Sequence, residues 1–133
     1  FDYAAVGEAV NLASRLEGVN KVYGTGILIS DSVAQAIGDK LALRQVDTVR
    51  VKGKHLGVSI FTPCDDARLK DMSEAALAAY AGGEWEVCQE RWQAVIDIYP
   101  DDPVAHAFLA RLRDMESAGW PKAWDGITTL ETK

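Results

Sequence analysis

The sequence contains 133 residues, which is the size of one ordinary domain or of two very small ones. Its 48% hydrophobic and 26% charged residues exclude a disordered chain, a collagen-like repeat and a disulfide scaffold. The net charge of −6 divides into +1 for residues 1–63 and −7 for residues 64–133, which excludes a basic nucleic-acid-binding stripe and indicates two regions with different roles.

Nothing in the sequence predicts a membrane span or an export signal. No apolar run approaches the ~18 residues of a membrane helix, and the first residues lack the charged-then-apolar pattern of a signal peptide. Cys64 and Cys88 are too few for a disulfide framework, so we expect a reduced, cytoplasmic setting. Because structured-looking sequence starts at Phe1, we also expect a fragment of a longer parent, which upstream segments could tether to a membrane.

Glycines divide the first part of the chain into short predicted elements. The apolar residues Tyr3–Val6 could end a buried strand, and Gly7 would then make a turn. Glu8–Glu17 has the three- and four-residue apolar spacing of a helix, which Gly18 should end.

The next elements are a strand and a short helix. A turn at Gly24–Gly26 leads into the apolar run Ile27–Ile29, which predicts a strand. Ser30 and Asp31 offer an N-cap for a helix over Ser32–Ile37, which Gly38 would stop.

Three strand-sized segments follow and complete an α+β region over residues 1–63. Leu41–Val46 alternates apolar and polar residues, with Leu41, Leu43 and Val46 expected to face inward. Two further strands are predicted over Val49–Lys54 and Val58–Phe61.

The second half predicts helices behind a linker over residues 64–72. The helical region, residues 73–117, contains helices at Ala75–Tyr80, at Glu84–Ile98 and from Pro103 to Met115, and a tail over residues 118–133 follows. An apolar stripe runs along the second helix at helical spacing and consists of Trp85, Cys88, Trp92, Val95 and Ile96.

Two groups of polar residues are candidates for chemistry. Asn11 and Arg15 are four residues apart, so a helix would place their amide and guanidinium on one face, where they could orient a hydroxyl and stabilise phosphate charge. Lys52 and Lys54 flank a glycine at a strand end and could reach a polyphosphate, although they form no P-loop. From the residues alone, a solvated helix flank and a charged hairpin tip explain these pairs better.

Cysteine and histidine do not predict a metal site. Cys64 fits a linker and Cys88 fits the buried stripe, whereas His55 and His106 have no cysteine or carboxylate at ligand spacing. We therefore expect no zinc.

Three motifs resemble one known family. The run FDYAAVGEAVNLASRLE, residues 1–17, resembles the signature of class III adenylate/guanylate cyclases, and GILIS at 26–30 and VKGK at 51–54 follow in the family's order and at its usual separations. The resemblance covers residues 1–63 and implies the C-terminal portion of a ferredoxin-like nucleotidyl cyclase domain.

The resemblance also implies roles for individual residues. Asn11 would orient the ribose, Arg15 would stabilise the charge that develops on the phosphate in the transition state, and Lys52 would hold the triphosphate, with Lys54 a weaker candidate. Ala4 occupies the base-recognition position, where alanine cannot hydrogen-bond a purine. The family's two metal-binding aspartates are expected upstream of Phe1, so the intact parent would use Mg²⁺ or Mn²⁺ and this fragment would bind neither.

The second half resembles a tetratricopeptide-like helical pair, and Trp120–Ile127 resembles the tail of bacterial cyclases that carry such helices. One such unit must pack on something else. We expect a homodimer, because class III cyclases place each active site between two chains, with the helical extension contributing to the contact. The alternative is that the stripe packs on the α+β half of its own chain.

The sequence therefore predicts the C-terminal fragment of a bacterial class III nucleotidyl cyclase, with an all-α tetratricopeptide-like extension. The parent would convert ATP, or less readily GTP, to a 3′,5′-cyclic nucleotide and pyrophosphate in intracellular signalling, and the fragment alone would be inactive. The first alternative is a catalytically degenerate cyclase-like module that regulates or binds other proteins. The second is an unrelated α+β binding domain.

Overall fold

A computed structural model describes residues 18–51 and 55–130. The strand predicted at Tyr3–Val6 and the helix predicted at Glu8–Glu17 lie outside these residues. Within them, strands and helices combine into an α+β fold, which confirms the predicted class at that level.

The described strands form one sheet in the order β1-β3-β2-β4. Their bounds are Ile29–Ser30 for β1, Leu43–Val51 for β2, Val58–Pro63 for β3 and Thr128–Leu130 for β4. β3 pairs antiparallel with both β1 and β2, whereas β4 pairs parallel with β2. The C-terminal tail, for which we predicted no strand, thus adds one to the sheet.

β2 is one long strand, whereas two separate pieces were predicted. A bulge between Gln45 and Asp47 bends it, and Val46 and Asp47 are both buried although they are consecutive. Val46 faces inward as predicted, but Leu41 precedes the strand and is 45% exposed, and Leu43 is half-buried. The alternation instead buries the side chain of Arg44, whose positive charge needs a partner in the core.

The helices match the predictions best in the second half. α1 comprises residues 18–23, and the later helices are α2 at Asp31–Ile37, α3 at Ala67–Ala81, α4 at Trp85–Ile98 and α5 at Pro103–Ala118. A 3₁₀ turn at Gly38–Lys40 follows α2. Pro103 begins α5 as predicted. The prediction that Gly18 ends a helix is wrong, since residues 18–23 are helical and the turn comes at Gly24.

Helix capping explains why α3 begins earlier than predicted. The carboxylate of Asp66 accepts hydrogen bonds from the backbone N–H groups of Arg68 and Leu69, so the helix begins at Ala67 rather than Ala75 and includes part of the predicted linker. At α2 the N-cap residue is Ser30, as predicted, but its side chain does not cap the helix.

The apolar stripe of α4 is buried within the chain itself. Cys88, Trp92 and Val95 are fully buried, and the ring of Trp92 stacks on that of Phe108 with their centres 4.7 Å apart. Phe108 in turn contacts Tyr23 of α1. The helices therefore share one hydrophobic core with the sheet and α1. Three residues of the stripe are thus core residues of the chain itself, whereas Trp85 and Ile96 are half-buried. The homodimer and the contribution of the helical half to its contact stay predictions.

No helix in the described ranges combines the length and the apolar character that crossing a membrane requires.

Gly24→Ala should destabilise the fold. Gly24 has a φ of +68°, and a Cβ there would lie 2.7 Å from the Cβ of Pro103, at the start of α5. The left-handed backbone and the clash together predict a loss of roughly 2–4 kcal/mol in the free energy of unfolding, measured by urea denaturation. Gly26→Ala is the control, because Gly26 has ordinary φ and open space around it. Equal effects of the two substitutions would contradict the contact between α1 and α5.

Candidate functional site

The residues that the sequence predicts as functional all lie outside the described residues. These are Ala4, Asn11, Arg15, Lys52 and Lys54. Two described elements adjoin them in the chain: α1 at residue 18, and β2, whose last residue is Val51. The contacts that fix α1 and the end of β2 are therefore the part of the candidate site that the structure describes.

Helix α1 is tied to β2 by a buried tyrosine. Val19 and Tyr23 are four residues apart and both buried, and the hydroxyl of Tyr23 donates a hydrogen bond of 2.5 Å to Oδ2 of Asp47. Burial, reinforced by the charge of Asp47, raises the pKa of Tyr23 above its usual range. The hydroxyl therefore stays protonated and remains a donor.

The Asp47 carboxylate is fully buried and fully partnered. Besides Tyr23, its Oδ2 accepts hydrogen bonds from Oγ1 of Thr128 at 2.8 Å and from the Arg111 guanidinium at 3.1 Å. Its Oδ1 accepts one from the backbone N–H of Thr48 at 2.8 Å. A carboxylate is costly to bury without such partners, and Arg111 supplies the opposite charge.

The guanidinium of Arg111 lies beside three aromatic rings, those of Tyr23, Tyr80 and Phe108. Its guanidinium carbon lies 4.8 Å from the ring centre of Phe108 and 5.1 Å from that of Tyr23, within cation–π range. It also donates to the hydroxyls of Tyr80 and Thr128, which contact each other at 2.9 Å. We call Tyr23, Asp47, Tyr80, Arg111 and Thr128 the Asp47 network. It joins α1, β2, α3, α5 and β4.

A second buried ion pair holds the other end of β2. Both terminal nitrogens of Arg44 reach the carboxylate of Asp102, at 2.6 and 3.3 Å, and both side chains are buried. Asp102 is also the N-cap of α5, where its Oδ2 accepts a hydrogen bond from the N–H of Ala105. The helical half is thus attached to β2 at two charged, buried points.

The C-terminal tail holds the last residues of β2. Arg50 forms an ion pair with Asp125 and donates from Nε to Oγ1 of Thr129 at 2.9 Å. The indole N–H of Trp124 donates to the backbone oxygen of Tyr80 at 2.8 Å, which fixes the tail on α3.

Two depressions are lined by described residues, and neither suits a nucleotide. A cavity of about 150 Å³ lies between β2 and α3, below the ~300–1,000 Å³ of usual ligand pockets. A groove of about 440 Å³ between α4 and α5 is lined by Glu90 and Asp97 beside one arginine, Arg113, which does not suit a triphosphate. No three His, Cys, Asp or Glu side chains of residues 18–51 and 55–130 lie together as metal ligands.

None of the described cysteines and histidines belongs to a group of three potential metal ligands. Burial raises the pKa of the Cys88 thiol to about 12, so the thiol is protonated at neutral pH. Cys64 is half-buried and unpaired with any other cysteine, and both His55 and His106 are exposed.

Sequence reasoning missed the Asp47 network, although a signal was present. Asp47 lies in the gap between two predicted strands, flanked by Val46 and Val49, and Arg111 lies between Phe108 and Leu112 on the apolar face of α5. Charged residues at core positions of two elements predict an ion pair between them.

Three curated proteins with detectable similarity are all named adenylate cyclases. Adenylate cyclase 1 of Rhizobium meliloti (strain 1021) is 39% identical over 77 residues, and the adenylate cyclase of Anabaena cylindrica is 44% identical over 63 residues. The terminal-differentiation specific adenylate cyclase of Dictyostelium discoideum is 34% identical over 119 residues. The chain is related to adenylate cyclases. This confirms the resemblance predicted from its motifs.

The chain spans only a small part of these relatives: 12% of the first two and 6% of the third. In the other direction, the matches cover 58%, 45% and 80% of this chain. The first and third shares exceed what residues 1–63 can supply, so the similarity continues into the helical half. No family model and no solved structure matches the chain.

Asp47→Asn should strongly destabilise the protein. The substitution leaves Arg111 largely buried without its counter-charge, which predicts a loss of about 3 kcal/mol or more in the free energy of unfolding, measured by urea denaturation. Lys70→Met is the control, because it breaks the partly exposed Lys70–Glu74 pair on α3 and should lower the free energy of unfolding by less than about 0.5 kcal/mol. Comparable losses would show that the Asp47 network does not hold the fold together.

Proposed function

We propose that this chain is the C-terminal part of the catalytic domain of a nucleotidyl cyclase that converts ATP to 3′,5′-cyclic AMP and pyrophosphate. The observation that carries the proposal is that three relatives, one of them matching 80% of this chain, are all named adenylate cyclases. Their names favour ATP over GTP. The product would serve intracellular signalling.

In the proposed reaction the ribose 3′-oxygen attacks the α-phosphorus, the bond to the β-phosphate oxygen breaks, and pyrophosphate and the hydroxyl proton leave. Asn11 would orient the ribose, and Arg15 would stabilise the negative charge that develops on the phosphate. Lys52 would hold the triphosphate, with Lys54 as a weaker candidate. Mg²⁺ or Mn²⁺ would be held by carboxylates other than those of the described residues.

The assembly and the helical half also belong to the proposal. The resemblance implies a homodimer with each active site between two chains. Cys88, Trp92 and Val95 of α4 are buried within the chain, so a contribution of the helical half to the contact would come from its other residues. We also propose that residues 1–63 are ferredoxin-like, that the helices after them are tetratricopeptide-like, and that the protein is cytoplasmic.

A second candidate function is a catalytically degenerate cyclase-like module that regulates or binds other proteins. The observation that favours it is Ala4, whose methyl group cannot form hydrogen bonds with a purine at the implied base-recognition position. An intact parent without cyclase activity that still folds and assembles would support this candidate.

The 133-residue chain alone should form no cyclic nucleotide. The resemblance places the metal-binding aspartates before Phe1, and without them nothing holds the cation that would neutralise the triphosphate. The measurement is cyclic AMP formation from ATP with Mg²⁺ or Mn²⁺, with the intact parent assayed in parallel as the positive control. Turnover by the isolated chain would contradict the implied metal positions.

Arg15→Ala in the intact parent should lower kcat by roughly 10²–10³ while KM for ATP changes little, because the guanidinium would act mainly in the transition state. Arg113→Ala removes an exposed arginine from α5 and is the matched control. Its kcat should stay within about twofold of the unsubstituted protein. If both variants turn over normally, Arg15 is a solvated helix residue, as the sequence spacing alone favoured.

A further inference from the structure

The end of β2 has a single paired neighbour among the described strands. β3 pairs with β2 only as far as Val49, opposite Val58. Arg50 and Val51 pair instead with Thr129 and Leu130 of β4. Because Lys52 is the next residue in the chain, the strand that supports the approach to it comes from the C-terminal tail.

β4 is short, and side-chain contacts on both sides of it compensate for its length. Thr128, its first residue, belongs to the Asp47 network and donates to the buried carboxylate at 2.8 Å. The Arg50 guanidinium binds both Thr129 and Asp125. These contacts fix the register in which β4 meets β2, and with it the position of Val51.

Aromatic packing fixes the segment that leads to β4. Trp120 stacks on Trp85 of α4 with ring centres 5.1 Å apart, and Trp124 packs edge-to-face on Tyr80 of α3 at the same separation. Gly126, at a φ of +83°, passes so close to α3 that a Cβ would lie 2.9 Å from the backbone oxygen of Ala81. The tail therefore packs on α3 and α4 before it joins the sheet as β4.

We propose that β4 is a positioning element of the nucleotide site, and that Thr128 and the Arg50–Asp125 pair are positioning residues that fix the end of β2 ahead of Lys52. The inference rests on the proposed function, in which Lys52 holds the triphosphate. A lysine that acts as a charge on phosphate depends on where its backbone is held, and small displacements in a site are costly. The tail thereby belongs to the catalytic domain rather than to a separate interaction module.

Thr128→Val in the intact parent removes the hydroxyl and keeps the shape of the side chain. The loss of its hydrogen bonds should raise KM for ATP about three- to tenfold while kcat changes less than about twofold. Thr128→Ser retains the hydroxyl and should restore KM. Thr62→Val is the control for the loss of a threonine hydroxyl, because Thr62 on β3 then loses its hydrogen bond to the backbone oxygen of Ile27, at a place remote from the end of β2.

A double substitution separates positioning from a general loss of stability. If Thr128 acts through Lys52, Thr128→Val should change KM little once Lys52→Ala is present, so the two effects will not add. Asp125→Asn is a second variant, which removes the negative charge from a partly exposed ion pair and should leave the fold intact. It should raise KM about two- to threefold.

The outcomes are distinct. An intact parent that forms no cyclic AMP would overturn the proposed function and this inference with it. An active parent in which Thr128→Val and Asp125→Asn behave like Thr62→Val would overturn the inference alone. Additive effects of Thr128→Val and Lys52→Ala would overturn it as well. A rise in KM that the serine variant reverses and that disappears without Lys52 would establish it.

Discussion

The ion pair between the buried carboxylate of Asp47 and the half-buried Arg111 is the constraint on which the rest of the fold depends. A carboxylate in the middle of a strand cannot enter a hydrophobic core unless donors surround it, and here they come from α1, α5 and β4. Replacing such a pair by apolar residues often leaves stability unchanged or raises it. The Asp47–Arg111 pair therefore acts on the specificity of the fold. One arrangement of these elements satisfies every hydrogen bond of the carboxylate, and any shift in register would break several of them.

The same constraint explains why the helical half is not an appendage. Arg44–Asp102 and Asp47–Arg111 both connect β2 with α5, and the stripe of α4 packs on Phe108 between them. Removing the helices would leave Arg44 and Asp47 of β2 without their counter-charges and would expose one face of the sheet. The continuation of the similarity to adenylate cyclases into the helical half agrees with this unity of sheet and helices.

Local patterns in the sequence predicted the elements that neighbouring residues in the chain specify. α4 and α5 follow from helical periodicity and from Pro103, and α2 follows from its flanking residues. The predictions were wrong where contacts between residues far apart in the sequence determine the structure. β2 continues through a bulge that buries Asp47, and β4 exists because Arg50 and Thr128 find partners far along the chain. The candidate residues Asn11, Arg15 and Lys52 came from motif spacing alone, whereas the network that supports their neighbours required the three-dimensional arrangement.

The described contacts concentrate on two points, helix α1 and the end of β2, and both lead in the chain to candidate residues. Tyr23 and Thr128 donate to the same oxygen of Asp47, so a displacement of either element must disturb the hydrogen bonds of the other. Charges and hydroxyls couple two segments more strictly than apolar packing does, because hydrogen bonds weaken steeply with distance and angle whereas apolar contacts tolerate sliding. A site built from two separate segments needs this kind of shared anchor if an arginine on one and a lysine on the other are to meet the same phosphate chain.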